Sequence, residues 1–187
     1  MTIAVRSPFD GSLIAELATA DTAAVEAALA TAHALFRDRD RWLPAAARIG
    51  ILRRTARLMA EQAEDLAVGA AREGGKPLAD SRIEVARAID GVLNCAELLR
   101  SEAGQAVPMG LDPASAGRIA FTRREPIGVV VAVSAFNHPL NLIVHQVAPA
   151  IAVGCPVIVK PAGTTPLSCI DFVKLVHEAG LPEAWCQ

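Results

Sequence analysis

The chain has 187 residues, enough for one domain with a real core, and a formal net charge of −2 that offers no basic footprint for nucleic acid or a membrane surface. Charge is distributed unevenly: residues 1–126 hold 16 of the 18 basic and 17 of the 20 acidic side chains. The front is therefore expected to be a solvated helical layer and the back a core.

Met1 to Ala20 contain Asp10, Glu16, Pro8 and Gly11, so no cleaved leader is expected. Ser7-Pro8-Phe9-Asp10-Gly11 reads as a turn, followed by a short strand through Leu13, Ile14 and Leu17. Asp21 is placed to cap a helix with Val25, Ala28, Leu29, Ala32 and Phe36 on one face. Pro44 opens a second helix, its stripe Ile49, Leu52, Ala56, Met59, Ala63 and Leu66, ended by Gly74-Gly75. Pro77 starts a third, expected to bury Ile83, Ala86, Ile89, Leu93, Ala96 and Leu99. Gly104 to Gly117 is rich in Gly and Pro and marks a boundary, and Arg118 to Arg124 alternates like an exposed strand.

From Gly128 to Val159 the chain runs 32 residues without Asp, Glu, Lys or Arg. That is long enough to span a membrane, but Asn137, His138, Pro139, Asn141, His145, Gln146, Pro149 and Pro156 interrupt it, and a buried soluble core is expected. Ile127 to Val133 reads as a strand covered on both faces, then a helix from about Pro139 to Val153 ended by Gly154, then a second buried strand from Pro156 to Lys160. Thr165 is placed to cap a last helix that has Pro166 in its first turn and Gly180 at its end. The order β-α-β-α predicts a parallel unit covered by helices. Two parallel strands fall short of a doubly wound sheet, and a third should begin at Cys186-Gln187, so a longer parent protein is expected. Cys95, Cys155, Cys169 and Cys186 lack metal spacing and read as reduced, mostly buried thiols of a cytosolic protein, none of them a nucleophile.

In open α/β sheets ligands bind beyond the carboxyl ends of the strands, which singles out Phe136-Asn137-His138-Pro139 after the first strand and Lys160 at the end of the second. Alternatives stand beside each. Asn137 also fits a turn or helix cap, Lys160 a snorkelling strand-end lysine, and His138 a structural residue or the wall of a substrate funnel. Asn141 and His145, one helical turn apart, read as hydrogen-bonded helix residues, since no third metal ligand is in sight. Gly74-Gly75-Lys76 lacks the spacing of a phosphate loop and reads as a helix end.

Arg124-Glu125-Pro126-Ile127-Gly128-Val129, Phe136-Asn137-His138-Pro139, Val157-Ile158-Val159-Lys160-Pro161-Ala162, Glu73-Gly74-Gly75-Lys76-Pro77 and Ala179-Gly180-Leu181-Pro182 together resemble the aldehyde dehydrogenase superfamily, in order and spacing, over essentially the whole chain. The resemblance implies an α/β fold: a Rossmann-like, doubly wound parallel sheet, incomplete in this chain, with an N-terminal helical layer and the start of an oligomerisation strand arm. It divides the chain into a helical part of the cofactor-binding domain (1–103), the start of the arm (104–124) and the first half of the nucleotide-binding core (125–187), with the catalytic domain absent. It implies oxidation of a small-molecule aldehyde with NAD or NADP, through a cysteine thiohemiacetal and thioester, by a cytoplasmic homodimer or homotetramer.

By the same resemblance Asn137 would donate to the oxyanion, as a neutral preorganised N–H group can. Lys160 would reach the adenosine ribose or a 2′-phosphate. Val133 and Phe136 would line the cofactor cleft, and Ser134 and Ala135 would offer backbone contacts. Gly163 stands where the family often carries a ribose-binding Glu, which opens the site to NADP, and Phe136 replaces a more usual tryptophan. The family's glycine-rich turn, catalytic glutamate and nucleophilic cysteine lie beyond residue 187, so these residues alone are expected to be inactive. The alternative is a naturally short, non-catalytic binding or assembly module built on the same fold.

Overall fold

The computed structural model describes residues 1–101 and 103–187. Strand β1 (Thr2–Arg6) pairs antiparallel with β2 (Leu13–Ala18) around the Ser7–Gly11 turn. There Gly11 adopts φ 72° and Asp10 accepts from the Ser12 amide at 3.0 Å. The sequence reading missed β1 because only Val5 in it is buried; pairing, not an apolar face, makes it a strand.

Helix α1 (Thr22–Arg37) is capped as expected, Asp21 accepting from the Ala24 amide at 2.8 Å. Its buried face differs from the predicted stripe: Ala32 and Leu35 are covered, Val25 is exposed, and Phe36 stacks on Trp42 instead. The single helix expected from Pro44 to Gly74 is two, α2 (Ala45–Glu61) and α3 (Ala63–Gly74), broken at Gln62 (φ −109°, ψ 18°). No Gly or Pro marks the break, and the apolar stripe runs through it in phase. Gly75, left-handed at φ 66°, ends α3.

Helix α4 (Leu78–Ser101) buries Ser81, Glu84, Val85, Ala88, Val92 and Ala96. The expected face placed Ile83 and Leu93 inside, and both are exposed. Large apolar side chains misled the assignment: α4 packs against α2, α3 and α5 through small residues and two polar ones. A two-residue ribbon, β3 (Ala106–Val107) with β4 (Ala120–Phe121), then leaves Leu111, Ile119 and Phe121 exposed.

Strand β5 (Val130–Val133), helix α5 (Asn141–Val153), strand β6 (Val157–Lys160) and helix α6 (Leu167–Glu178) form the expected parallel unit, with Val133 opposite Lys160 in register. On the other edge of β6, Gln187 donates to Val157 O at 3.0 Å and accepts from the Val159 amide, so a third parallel segment begins where one was expected. Only one face of β5 is covered. Ala132 is buried, whereas Val131 and Val133 are 57% and 54% exposed, which corrects the expectation of burial on both sides. Among the described residues nothing packs on that face.

Thr165 does not cap α6, because its hydroxyl donates to Phe136 O at 3.0 Å. The first amides of α6, Leu167 N and Ser168 N, donate instead to the buried Glu73 carboxylate of α3 at 2.7 and 2.8 Å. Helix α5 is held the same way: Leu140 N and Asn141 N both donate to Glu84 of α4 at 2.9 Å. At the opposite ends, Arg48 and Arg54 of α2 donate to Ala152 O of α5 and Ala179 O of α6. Each helix thus meets an anion at its positive N-terminus and a cation at its negative C-terminus, where backbone groups have no intrahelical partner. The helical layer grips both core helices at both ends.

Candidate functional site

The loops that leave β5 and β6 at their carboxyl ends are tied together. Ser134 N donates to Lys160 O at 3.0 Å, Ser134 Oγ reaches Pro139 O at 3.4 Å, and the Thr165 hydroxyl holds Phe136 O. Gln146 of α5 pairs its side-chain amide with both backbone groups of Val133 at 2.9 Å, on the edge of β5 away from β6. The Phe136–Pro139 turn is therefore anchored on several sides, with Ser134 buried and Phe136 and Asn137 exposed.

Asn137 does not cap α5, whose N-cap residue Leu140 makes no side-chain cap bond. Among the described residues the Asn137 amide has no hydrogen-bond partner. It opens on a cavity of about 420 Å³, whose other walls come from Lys76, from α4 (Asp80, Ile83, Glu84, Arg87) and from His138, Asn141 and Leu142. Lys76 pairs with Glu84, which is buried, and lies 3.2 Å from His138 Nδ1. Glu84 Oε2 is 3.6 Å from the same ring nitrogen. His138 thus lines the cavity and also braces its wall. Asn141 departs from the hydrogen-bonded residue expected: its backbone amide is held by Glu84, but its side-chain oxygen is buried without a partner.

Lys160 lies at the same end of the sheet but does not line this cavity. Its register with Val133 puts its side chain on the open face of the sheet, beside Val131 and Val133, and it has no partner among the described residues. Gly163 follows in space so open that a Cβ there would meet nothing within 4 Å. An unpaired ammonium, a bare glycine and an apolar strand face fit a nucleotide: a cation for ribose or phosphate oxygens, no acid to repel them, and a flat surface for a ring. Ala135 is half-buried between the two regions.

No disulfide joins the four cysteines. Burial pushes the Cys169 and Cys186 thiols up to about 12 and raises Cys95 as well, which suits inert thiols. Burial also raises the Glu73 carboxyl, against the pull of the Ser168 and Leu167 donors. No group of three or more His, Cys, Asp or Glu among the described residues could hold a metal, and no described helix is long and apolar enough to cross a membrane.

Sequence reasoning missed Glu73, Glu84, Gln146 and Arg87. Spacing could have found Glu84, since Ser81, Glu84, Val85, Ala88 and Val92 repeat with helical period once a charged residue is allowed inside. Glu73 sits in phase with Leu66 and Ala70 in the same way.

The sequence profile of the aldehyde dehydrogenase family matches residues 1–187. The 3-sulfolactaldehyde dehydrogenase of Pseudomonas putida is 36% identical over 181 residues, covering 97% of this chain and 36% of that protein. Among solved structures, aldehyde dehydrogenase 21 from Physcomitrella patens, in complex with its reaction product succinate, superposes with a TM-score of 0.93 at 32% identity, over 100% of this chain and 39% of its own. The glyceraldehyde-3-phosphate dehydrogenase of Methanocaldococcus jannaschii, complexed with NADP, gives 0.90 at 31% identity, over 99% of this chain and 40% of its own. The chain thus spans somewhat over a third of the length of these relatives, and it belongs to the aldehyde dehydrogenase family.

Proposed function

We propose that these residues serve as the N-terminal portion of an NAD(P)-dependent aldehyde dehydrogenase that oxidises a small polar aldehyde to the acid. The observation that carries this is the free amide of Asn137, held on a braced turn at the carboxyl end of β5 and opening on a cavity. A neutral donor fixed there stabilises charge developing on a carbonyl oxygen without reorganising first. A nicotinamide nucleotide bound here would supply the hydride acceptor for that oxidation. Around it Lys160 binds the adenosine ribose or a 2′-phosphate, Val133 and Phe136 give apolar walls, and Ser134 and Ala135 offer backbone groups. Gly163 contributes no carboxylate against a phosphate, which favours use of NADP; the relative from Methanocaldococcus jannaschii was solved with NADP.

Residues 1–103 form the helical part of the cofactor domain, 104–124 begin an oligomerisation arm, and 125–187 make the first half of the nucleotide-binding core. The exposed Leu111, Ile119 and Phe121 beside the β3–β4 ribbon support assembly into a homodimer or homotetramer. Four unpaired thiols support a cytoplasmic setting.

The test uses the full-length protein. Asn137→Ala should lower kcat about 10²- to 10³-fold, the scale of losing one oxyanion donor, with cofactor affinity little changed. Lys160→Ala should weaken cofactor binding, most for NADP. An unchanged kcat removes Asn137 from the reaction, and equal affinities before and after remove Lys160 from the nucleotide site.

A further inference from the structure

The Asn137 amide opens on its cavity with no hydrogen-bond partner among the described residues, so its aim is set by the backbone that carries it. The ties on that backbone are not equal. Ser134 Oγ reaches Pro139 O at a long 3.4 Å, and Ser134 N meets Lys160 O well before Asn137 in the chain. The His138 ring rests 3.2 Å from Lys76 Nζ, but that side chain is 47% exposed, and the contact fastens a ring rather than a peptide. The Thr165 hydroxyl acts closer to the amide: it donates at 3.0 Å to Phe136 O, the carbonyl of the peptide that enters Asn137. A peptide is planar, so holding its oxygen also fixes the direction of its N–Cα bond. Thr165 is in turn held by packing. It is 3% exposed, and its methyl lies over Gly74, where an added Cβ would be 3.6 Å from Cγ2. Branching at Cβ leaves a threonine few χ1 states, so the contact of the methyl aims the hydroxyl.

We infer that Thr165 is a positioning residue for the oxidation: its hydroxyl aims the Asn137 amide by fixing the Phe136–Asn137 peptide. Thr165 does not itself line the cavity and acts only through Asn137. The line of contact runs from the end of α3 at Gly74, through the methyl and hydroxyl of one side chain, to the donor. A misplacement of about 1 Å can cost about 10²-fold in rate, so the bond bears on the transition state more than on affinity for either substrate. The assignment rests on reading Asn137 as the oxyanion donor.

In the full-length protein, Thr165→Val removes the hydroxyl and keeps the shape, while Thr165→Ser keeps the hydroxyl and removes the methyl. With propanal and NADP, Thr165→Val should lower kcat about ten- to a hundredfold, leaving KM for both little changed. Thr165→Ser should retain most of kcat. In an Asn137→Ala background the valine change should move kcat less than about twofold, because the group it aims is gone. Thr165→Ala carries the same comparisons where the valine variant does not fold. An unchanged kcat overturns the assignment, and so does a loss of equal size with and without the Asn137 amide, which would make Thr165 a general support of the fold. A wild-type protein that turns over no aldehyde sinks the dehydrogenase reading, and the crystal structure of Thr165→Val then decides the positioning role by itself. An Asn137 amide displaced by more than about 0.5 Å, or found in two orientations, with the start of α6 still on Glu73, upholds that role. An unmoved amide overturns it.

Discussion

Glu84 shows how much one side chain can carry when it is buried among partners. One oxygen accepts the first two amides of α5 and the other meets Lys76, so a single carboxylate joins α4, the start of α5 and the wall of the Asn137 cavity. Its truncation leaves two amides without acceptors and a mostly buried ammonium without a counter-charge. Losing one partner of a buried pair costs about 3 kcal/mol or more. Glu84→Ala should lower stability on that scale in denaturant melts. Removing Lys76 as well should cost less than the sum of the two single changes, because the stranded charge goes with it. Additive losses would mean that the pair is not coupled and that Glu84 acts through the helix amides alone.

Among the elements, what was legible followed from where the signal lay. Asp21, Gly75, Gly154 and Gly180 marked helix ends by local chemistry, and the structure puts all four at such ends. The parallel strands β5 and β6 and the onset of a third segment were readable from apolar runs between turn residues. The break at Gln62 was not, because periodicity does not register a kink that keeps the stripe in phase. The true face of α4 was hidden because its core contacts use Ser, Glu and Ala, which a search for large apolar residues passes over. The cap of α6 could not be read locally at all, since its acceptor comes from Glu73, 94 residues before Leu167. Glycines separate these cases experimentally. Gly154 closes α5 at φ 84°, and a Cβ there would sit 3.4 Å from both Arg48 Nη1 and Pro126 Cγ. Gly69 lies inside α3 with nothing within 4 Å. Gly154→Ala should therefore destabilise by about 1–2 kcal/mol, while Gly69→Ala should stabilise by about 0.5–1 kcal/mol. Shifts of the same sign would show that backbone conformation at Gly154 is not what ends the helix.

At the scale of the whole molecule, the molecule's two halves are unequally finished. The helical layer closes on α5 and α6 through four charged side chains and a continuous core that includes Leu52, Met59, Val85, Val144 and Phe172. The sheet it supports is open: Val131, Val133 and Phe136 face outward, and so do Leu111, Ile119 and Phe121 beside the β3–β4 ribbon. Covering an aliphatic or aromatic side chain is worth about 2 kcal/mol, and a strand that bares both an apolar face and an edge is a template for pairing with another chain. The 187-residue chain expressed by itself should therefore associate in solution, or melt without cooperativity, when followed by light scattering and thermal denaturation. Replacing Val131 and Val133 with threonine keeps β-branched shape while lowering the apolar drive, and should shift the chain toward monomer. Association that persists in that variant, but is lost when Ile119 and Phe121 are made polar, would place the adhesive surface at the β3–β4 ribbon. A cooperative monomeric melt of the unaltered chain would mean that α5, α6 and the helical layer suffice for a stable unit and that the open strand face adds no penalty.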